Sequence, residues 1–254
     1  MYIHDLDPIA FKILNFSIYW YSLSYLFGFI FSFFYAKFLI QKGFIKINFT
    51  YFEDFLTWAV LSVIIGGRMG YVFFYNLNFY LENPLSIFKV WEGGMSFHGG
   101  LIGLVFSIFL FSKLKKIDFI ELSNLVSACA PFGLFLGRIA NFINKELVGK
   151  PTDSNWGVLF AENDVLRHPS QLYESFFEGF VLFFLLFYLF IKNYSKSLNI
   201  FAVFFIFYGL SRFLVEFYRE PDQHIGYIFQ NYSMGQILSL PMIIIGITFL
   251  KYKR

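Results

Sequence analysis

A single cysteine, Cys129, stands in 254 residues, which leaves no internal disulfide and no multi-cysteine metal site. Its apolar neighbours mark it as a packing residue rather than a reactive thiol. Charge is scarce too. Only 15% of the residues are charged and 57% are hydrophobic, with a mean hydropathy of +0.60. A soluble domain carries about a quarter charged residues, so the chain is predicted to be an integral membrane protein. The net charge of +3 is too small and too scattered for a nucleic-acid partner. Gly-x-Ser-x-Gly, His-Glu-x-x-His and P-loop motifs are all missing, so intramembrane serine or metal proteolysis is unsupported, and nothing calls for a metal or a cofactor. The first residues, MYIHDLDPIAFKILNF, lack the basic start and small-residue cleavage site of a signal peptide, and Asp5 and Asp7 argue against one further. The first span is therefore expected to be retained as a signal-anchor.

What is abundant is apolar sequence in runs. Crossing a bilayer as helix takes about twenty apolar residues. Seven runs approach that: 19–40, 55–75, 96–111, 122–139, 175–191, 200–217 and 234–250. Gly99, Gly100 and Gly103 predict a short or broken third span. The forty phenylalanines say little about function, because Phe, Leu and Ile are near-interchangeable against lipid. With no linker, repeat or low-complexity tract, residues 1–254 read as one polytopic domain whose long connection, 141–174, forms an external cap.

Lysine sets the orientation. The loops after the first, third and fifth runs, and the C-terminus, carry Lys42, Lys46, Lys115, Lys116, Lys192 and Lys251 among others. By the positive-inside rule that face is cytoplasmic. The expected fold is thus an all-α integral membrane protein of about seven transmembrane helices, N-terminus outside and C-terminus cytoplasmic, with a small periplasmic cap.

Arginine is distributed differently. Arg68, Arg138, Arg167, Arg212 and Arg219, five of the six, lie in or beside runs near the external end. Arginine is costly at membrane depth and is normally paired or functional there. Its planar fork suits bidentate capture of phosphate better than a lysine point charge does. A phosphate-bearing ligand at the external leaflet is the leading expectation.

The polar break after Arg138 adds Asn141, Asn144, Glu146 and Gly149: donors, an acceptor and a tight turn within eleven residues. A snorkelling arginine accounts for the charge but not for its polar neighbours. In GGMSFHGG, glycines flank His98 and let a ligand approach the backbone. A lone histidine of this kind is commonly a hydrogen-bonded structural residue; the glycines and the arginine favour a site. Arg68, in GGRMG, reads equally as a carboxylate-paired structural residue or a functional one. Tyr208, Arg212, Glu216 and Arg219 share one helix face by spacing. Arg212 and Glu216 can pair as mere structure, but a second arginine one turn on favours a site. In HPSQLYE, Pro169 and Ser170 suit a helix start, and capping is the preferred role. Tyr21 is either an aromatic-belt residue or a hydroxyl aimed into a cavity.

Taken together, GGRMGYVFFYN, GGMSFHGG, GRIANFINKELVG, HPSQLYE, RFLVEFYREPD and SMGQILS resemble, in order and over most of the chain, the prolipoprotein diacylglyceryl transferase family of the bacterial inner membrane. GRIANFINKELVG is the most specific. One departure is Ser22, where the family commonly has Gly. The resemblance implies transfer of the diacylglyceryl group of phosphatidylglycerol to the lipobox cysteine of preprolipoproteins, with glycerol phosphate released, and no cofactor. By matching position it implies catalytic roles for His98, Arg138, Arg212, Tyr21 and Asn141. It implies substrate binding by the same two arginines with Gly149, Glu146, Tyr208, Glu216 and Arg219.

Overall fold

In lipid every backbone polar group must be satisfied internally, which makes a long apolar run a helix. The computed structural model bears this out for all seven runs. It describes residues 2–14, 16–161, 164–192, 198–221, 226–228 and 231–251, with the side chains of Phe97 and His98 outside the description. In chain order the elements are β1 (Tyr2–Ile3), β2 (Ile9–Ile13), β3 (Phe16–Tyr19), α1 (Trp20–Gln41), α2 (Phe49–Tyr75), α3 (Leu77–Glu82), α4 (Phe97–Lys115) and α5 (Phe119–Ile143). Then come β4 (Val158–Leu159), α6 (Ser170–Glu174), a π-helical segment (Ser175–Val181), α7 (Leu182–Lys192), α8 (Ile200–Val215), β5 (Tyr227–Ile228), β6 (Tyr232–Ser233) and α9 (Met234–Lys251). Among the described residues, five helical stretches are long and apolar enough to cross a membrane: α1, α2, α5, the rod from α6 through α7, and α9; α8 is apolar but shorter.

The chain forms two compact units, one of residues 39–123 and one of 1–38 with 124–254. In the first, α2 packs on α4 through glycine. A Cβ on Gly66 would lie 2.4 Å from the Gly99 carbonyl oxygen, and one on Gly99 would lie 2.3 Å from that of Gly66. Small residues let two backbones touch in this way. Gly99, Gly100 and Gly103 therefore do not break the third apolar run: α4 is a continuous helix over Phe97–Lys115, with its glycines taken up by the contact with α2. Ser96 caps it, accepting from the Gly99 N–H at 3.2 Å.

In the other unit, α1 and α5 are joined by aromatic packing, Phe31 stacking on Phe132 with centroids 3.8 Å apart and Phe183 of α7 closing on Phe31 at 5.5 Å. Cys129 is buried here beside the Ser32 carbonyl, as a packing residue. Asn124 of α5 accepts from the Phe201 N–H at 2.9 Å, satisfying a donor of the first turn of α8 that has no partner within its own helix.

Among the described residues, three two-stranded ribbons supplement the helices. The parallel pair β1–β4 matches Tyr2 with Val158 and Ile3 with Leu159. His4 then donates from Nε2 to the Phe142 carbonyl at 2.8 Å and stacks on Phe160. The connection between α5 and α6 is thus closed over by the first residues of the chain.

Candidate functional site

The segment after α5 is locked by its own polar side chains. Asn141 donates to Glu146 Oε2 at 2.8 Å and Asn144 to Glu146 Oε1 at 3.3 Å. Lys145 and Leu147, on either side of Glu146, adopt left-handed φ of 57° and 55°, which L-residues take at a cost. The turn is held from α6: Gln171 donates to the Glu146 carbonyl at 2.5 Å and Ser170 to that of Leu147 at 3.0 Å. Ser170 therefore braces the turn rather than capping α6. Pro169 occupies the cap position and makes no side-chain cap bond, and His168 Nδ1 lies 3.1 Å from the Tyr173 hydroxyl. Ser170 departs from the capping expectation because the Leu147 carbonyl of the opposite turn takes its hydroxyl, and Pro169 has no side-chain polar group with which to cap. Gly149 fits between backbones: a Cβ would sit 2.3 Å from the His168 oxygen and 2.8 Å from that of Tyr218. Its N–H donates to His168, and it bridges Arg219.

Beside this turn lies a buried ionic cluster. Arg138 of α5 places Nε 2.9 Å from Glu174 Oε2, close enough for an ion pair though not aligned as a hydrogen bond. Arg212 of α8 donates to the other oxygen of the same carboxylate, and its second nitrogen pairs with Glu216. Arg219 reaches Glu216 at 3.2 Å and Glu174 at 3.8 Å. Ser233 donates to Glu216 Oε2 at 2.6 Å. Glu178, in the π segment, lies 3.7 Å from Arg138 and 3.8 Å from Arg212. Arginine and glutamate balance three against three, with no side chain more than 13% exposed. Buried charges persist only when paired in this way. The cluster presents guanidinium forks that can exchange carboxylate for another planar or tetrahedral oxyanion.

The π segment makes this register. Gly179 faces α5 so closely that a Cβ would stand 2.6 Å from Phe135 Cα, and Ser175 donates to the Phe135 carbonyl at 3.0 Å. That contact lies one turn before Arg138 and sets Glu174 and Glu178 against it. π-turns of this kind recur at functional sites.

Arg138, Arg212, Glu216 and Arg219 are thus brought together, with Asn141, Glu146 and Gly149 in the adjoining turn. Tyr208, one turn before Arg212 and buried, is within electrostatic reach of Arg138, Arg212 and Glu178. Tyr21 of α1 is half-buried, its hydroxyl 3.2 Å from that of Tyr25 and within electrostatic reach of Glu146 and Arg138. Glu174 and Glu178 escaped the sequence reading as individual site residues. The available signal was a carboxylate inside SFFEGFVLFF, which at membrane depth demands a cationic partner.

The arginines do not all join. Arg68 is buried in the other unit, and its donors go to backbone: to Ile87 at 2.9 Å, Ser86 at 2.6 Å, Lys89 at 3.2 Å, Gly94 at 3.1 Å, and Gly93. Its role is to gather the segment between α3 and α4, with Tyr80 beneath it as a cation–π partner. Arg167 is engaged by Asp164, Glu220 and the Gly149 carbonyl. His98 lies in the first turn of α4, and its side chain is outside the described residues.

A family model described as prolipoprotein diacylglyceryl transferase matches residues 8–252. The phosphatidylglycerol–prolipoprotein diacylglyceryl transferase of Rickettsia bellii (strain OSU 85-389) is 46% identical over 247 residues, covering 96% of this chain and 94% of that protein. That of Rickettsia typhi (strain ATCC VR-144 / Wilmington) is 47% identical over 250 residues, covering 97% and 96%. The Rickettsia conorii (strain ATCC VR-613 / Malish 7) protein of the same name is 47% identical over 246 residues, covering 95% of each.

Proposed function

The chain belongs to the prolipoprotein diacylglyceryl transferase family, and from that premise we propose that the arginine–glutamate cluster is where its reaction occurs. The enzyme transfers the diacylglyceryl group of phosphatidylglycerol to the thiol of a prolipoprotein's lipobox cysteine. A carbon–sulfur thioether bond forms, the carbon–oxygen bond to phosphate breaks, glycerol phosphate departs with the bonding electrons, and the thiol proton is released.

The observation that carries the assignment is the convergence of Arg138 and Arg212 on one carboxylate, Glu174. Two forks aimed at one oxyanion are suited to a phosphodiester, whose leaving oxygen gains charge as its bond to carbon breaks. Donors fixed in place before that charge develops lower the barrier. Asn141, Glu146 and Gly149 shape the adjoining turn; Tyr21, Tyr208, Glu216 and Arg219 complete the surroundings. A lipobox thiol, with a pKa of about 8.5 when free, is mostly protonated at neutral pH. The family resemblance makes His98 the candidate to accept its proton; the alternative is that the field of the arginines ionises the thiol without a base.

The molecule is a membrane protein, mostly helical. Seven crossings follow if α4 and α8 span as well, with residues 1–254 acting as one polytopic domain in the bacterial inner membrane. The lysine-rich loops support a cytoplasmic C-terminus and an external 141–174 connection. A lipid substrate then enters from the bilayer itself, and the secreted preprolipoprotein meets it at the outer leaflet. Purified protein given phosphatidylglycerol and a lipobox peptide should form the thioether, detected by mass. Failure with the wild type, or full activity after both arginines are replaced, would refute the assignment.

A further inference from the structure

Among the described residues, Glu178 is the one carboxylate of the cluster that is held by charge alone. Glu174 accepts from Arg212, and Glu216 accepts from Arg219 and Ser233. Glu178 is 0% exposed, and among the described residues neither of its oxygens has a hydrogen-bond partner. It lies 3.7 Å from Arg138 Nη2 and 3.8 Å from Arg212 Nη1, touching both guanidiniums and bonded to neither. An ionised carboxylate buried without hydrogen bonds is costly. Packing alone would be served as well by an apolar residue, as it is at Leu182 and Leu186 further along the same rod. What Glu178 adds is a counter-charge common to two arginines that come from different helices.

The geometry points to Glu178 as a positioning residue for the transfer. Its carboxylate turns Arg138 Nη2 and Arg212 Nη1 toward one point, so that a phosphodiester meets both forks at once. It acts through the arginines and does not itself touch substrate. This rests on the assignment of the cluster made above. Its charge also matters after the chemistry. Glycerol phosphate is a monoester and bears up to one more negative charge than the lipid it came from, so a cluster stripped of one carboxylate would retain it. Glu178→Gln keeps the shape and removes the charge. It should weaken turnover without weakening capture of the anionic lipid.

The test uses the purified full-length protein, a lipobox peptide at saturation and phosphatidylglycerol varied in mixed micelles. Glu178→Gln is expected to lower kcat at least about tenfold with the KM for phosphatidylglycerol unchanged or lower, and with inhibition by added glycerol phosphate at lower concentration. Glu178→Asp, which keeps the charge, should recover part of the loss. Wild-type kcat and KM in the glutamine variant overturn the proposal, and so does a loss of kcat accompanied by a raised KM. Should the glutamine variant fail to fold, the aspartate variant decides on the same split. Should neither fold, the role is structural and the proposal fails. A wild type that forms no thioether sinks the parent assignment together with this one; an active wild type with an indifferent glutamine variant sinks this one alone.

Discussion

Gly179 lies flush against Phe135: a single added methyl would stand 2.6 Å from Phe135 Cα and 2.8 Å from its nitrogen. Backbone contact at this point fixes the separation of α5 from the π segment, and the arginine–glutamate cluster is built directly beyond it. Gly179→Ala should force the two apart. Overpacking of this kind costs about 1–3 kcal/mol, so the variant should melt earlier in detergent and turn over more slowly. Wild-type melting and turnover together would mean that the π segment relaxes and the contact is not the determinant.

Replacing arginine by lysine separates charge from geometry. Arg138→Lys and Arg212→Lys each keep a cation but lose the planar fork that reaches Glu174. Each should slow turnover at least about tenfold, on the order of 1.4 kcal/mol in the barrier. Steady-state rates with phosphatidylglycerol and peptide check this. Near-normal rates in both variants would show that a point charge suffices.

If His98 takes the thiol proton, wild-type activity should rise with pH through an imidazole value of about 6.5. His98→Gln should lose that limb and recover in part at higher pH, where the thiol ionises unaided. His168 must be kept apart from this reading. Burial lowers its pKa below the ordinary histidine value, so it binds a proton less readily folded than unfolded. Stability is therefore intact above the ordinary histidine range and is lost as pH falls through the lowered folded value. Melting measured alongside the rate separates a stability limb at acid pH from a catalytic one. An unchanged rate and profile in His98→Gln would leave thiol activation to the arginines.

Orientation is checked by labelling. With Cys129 replaced by serine, which retains a donor for the Ser32 carbonyl, a cysteine at Asn155 should react with an impermeant reagent in intact cells. One at Lys115 should not. The reverse pattern would invert the topology and move the cluster to the cytoplasmic leaflet.

Arg68→Lys should loosen the segment from Ser86 to Gly94, because one ammonium cannot replace a guanidinium that bonds carbonyls at Ser86, Ile87, Lys89, Gly93 and Gly94. Limited proteolysis should cut there faster in the variant. Equal cutting rates would show that the segment is held by other contacts.

Apolar runs determined the helices, since an uninterrupted stretch in lipid has no other way to satisfy its backbone. The helices therefore lie where composition places them, within a turn at most ends. The family and the polar break after Arg138 were equally legible, because they are contiguous in sequence. Pairing across helices was not. The side of each rod that faces its neighbour depends on rotation, and for the rod containing Glu174 and Glu178 rotation depends on a π segment that a run of apolar letters does not announce. Arg138 and Arg212 look alike in sequence to Arg68, each an arginine in an apolar span. Only the tertiary structure separates them. Two meet a carboxylate from another helix and keep forks an oxyanion can take, while the third is met by the carbonyls of its own outgoing loop. A guanidinium's five donors go to whichever acceptors the packed backbone brings within reach.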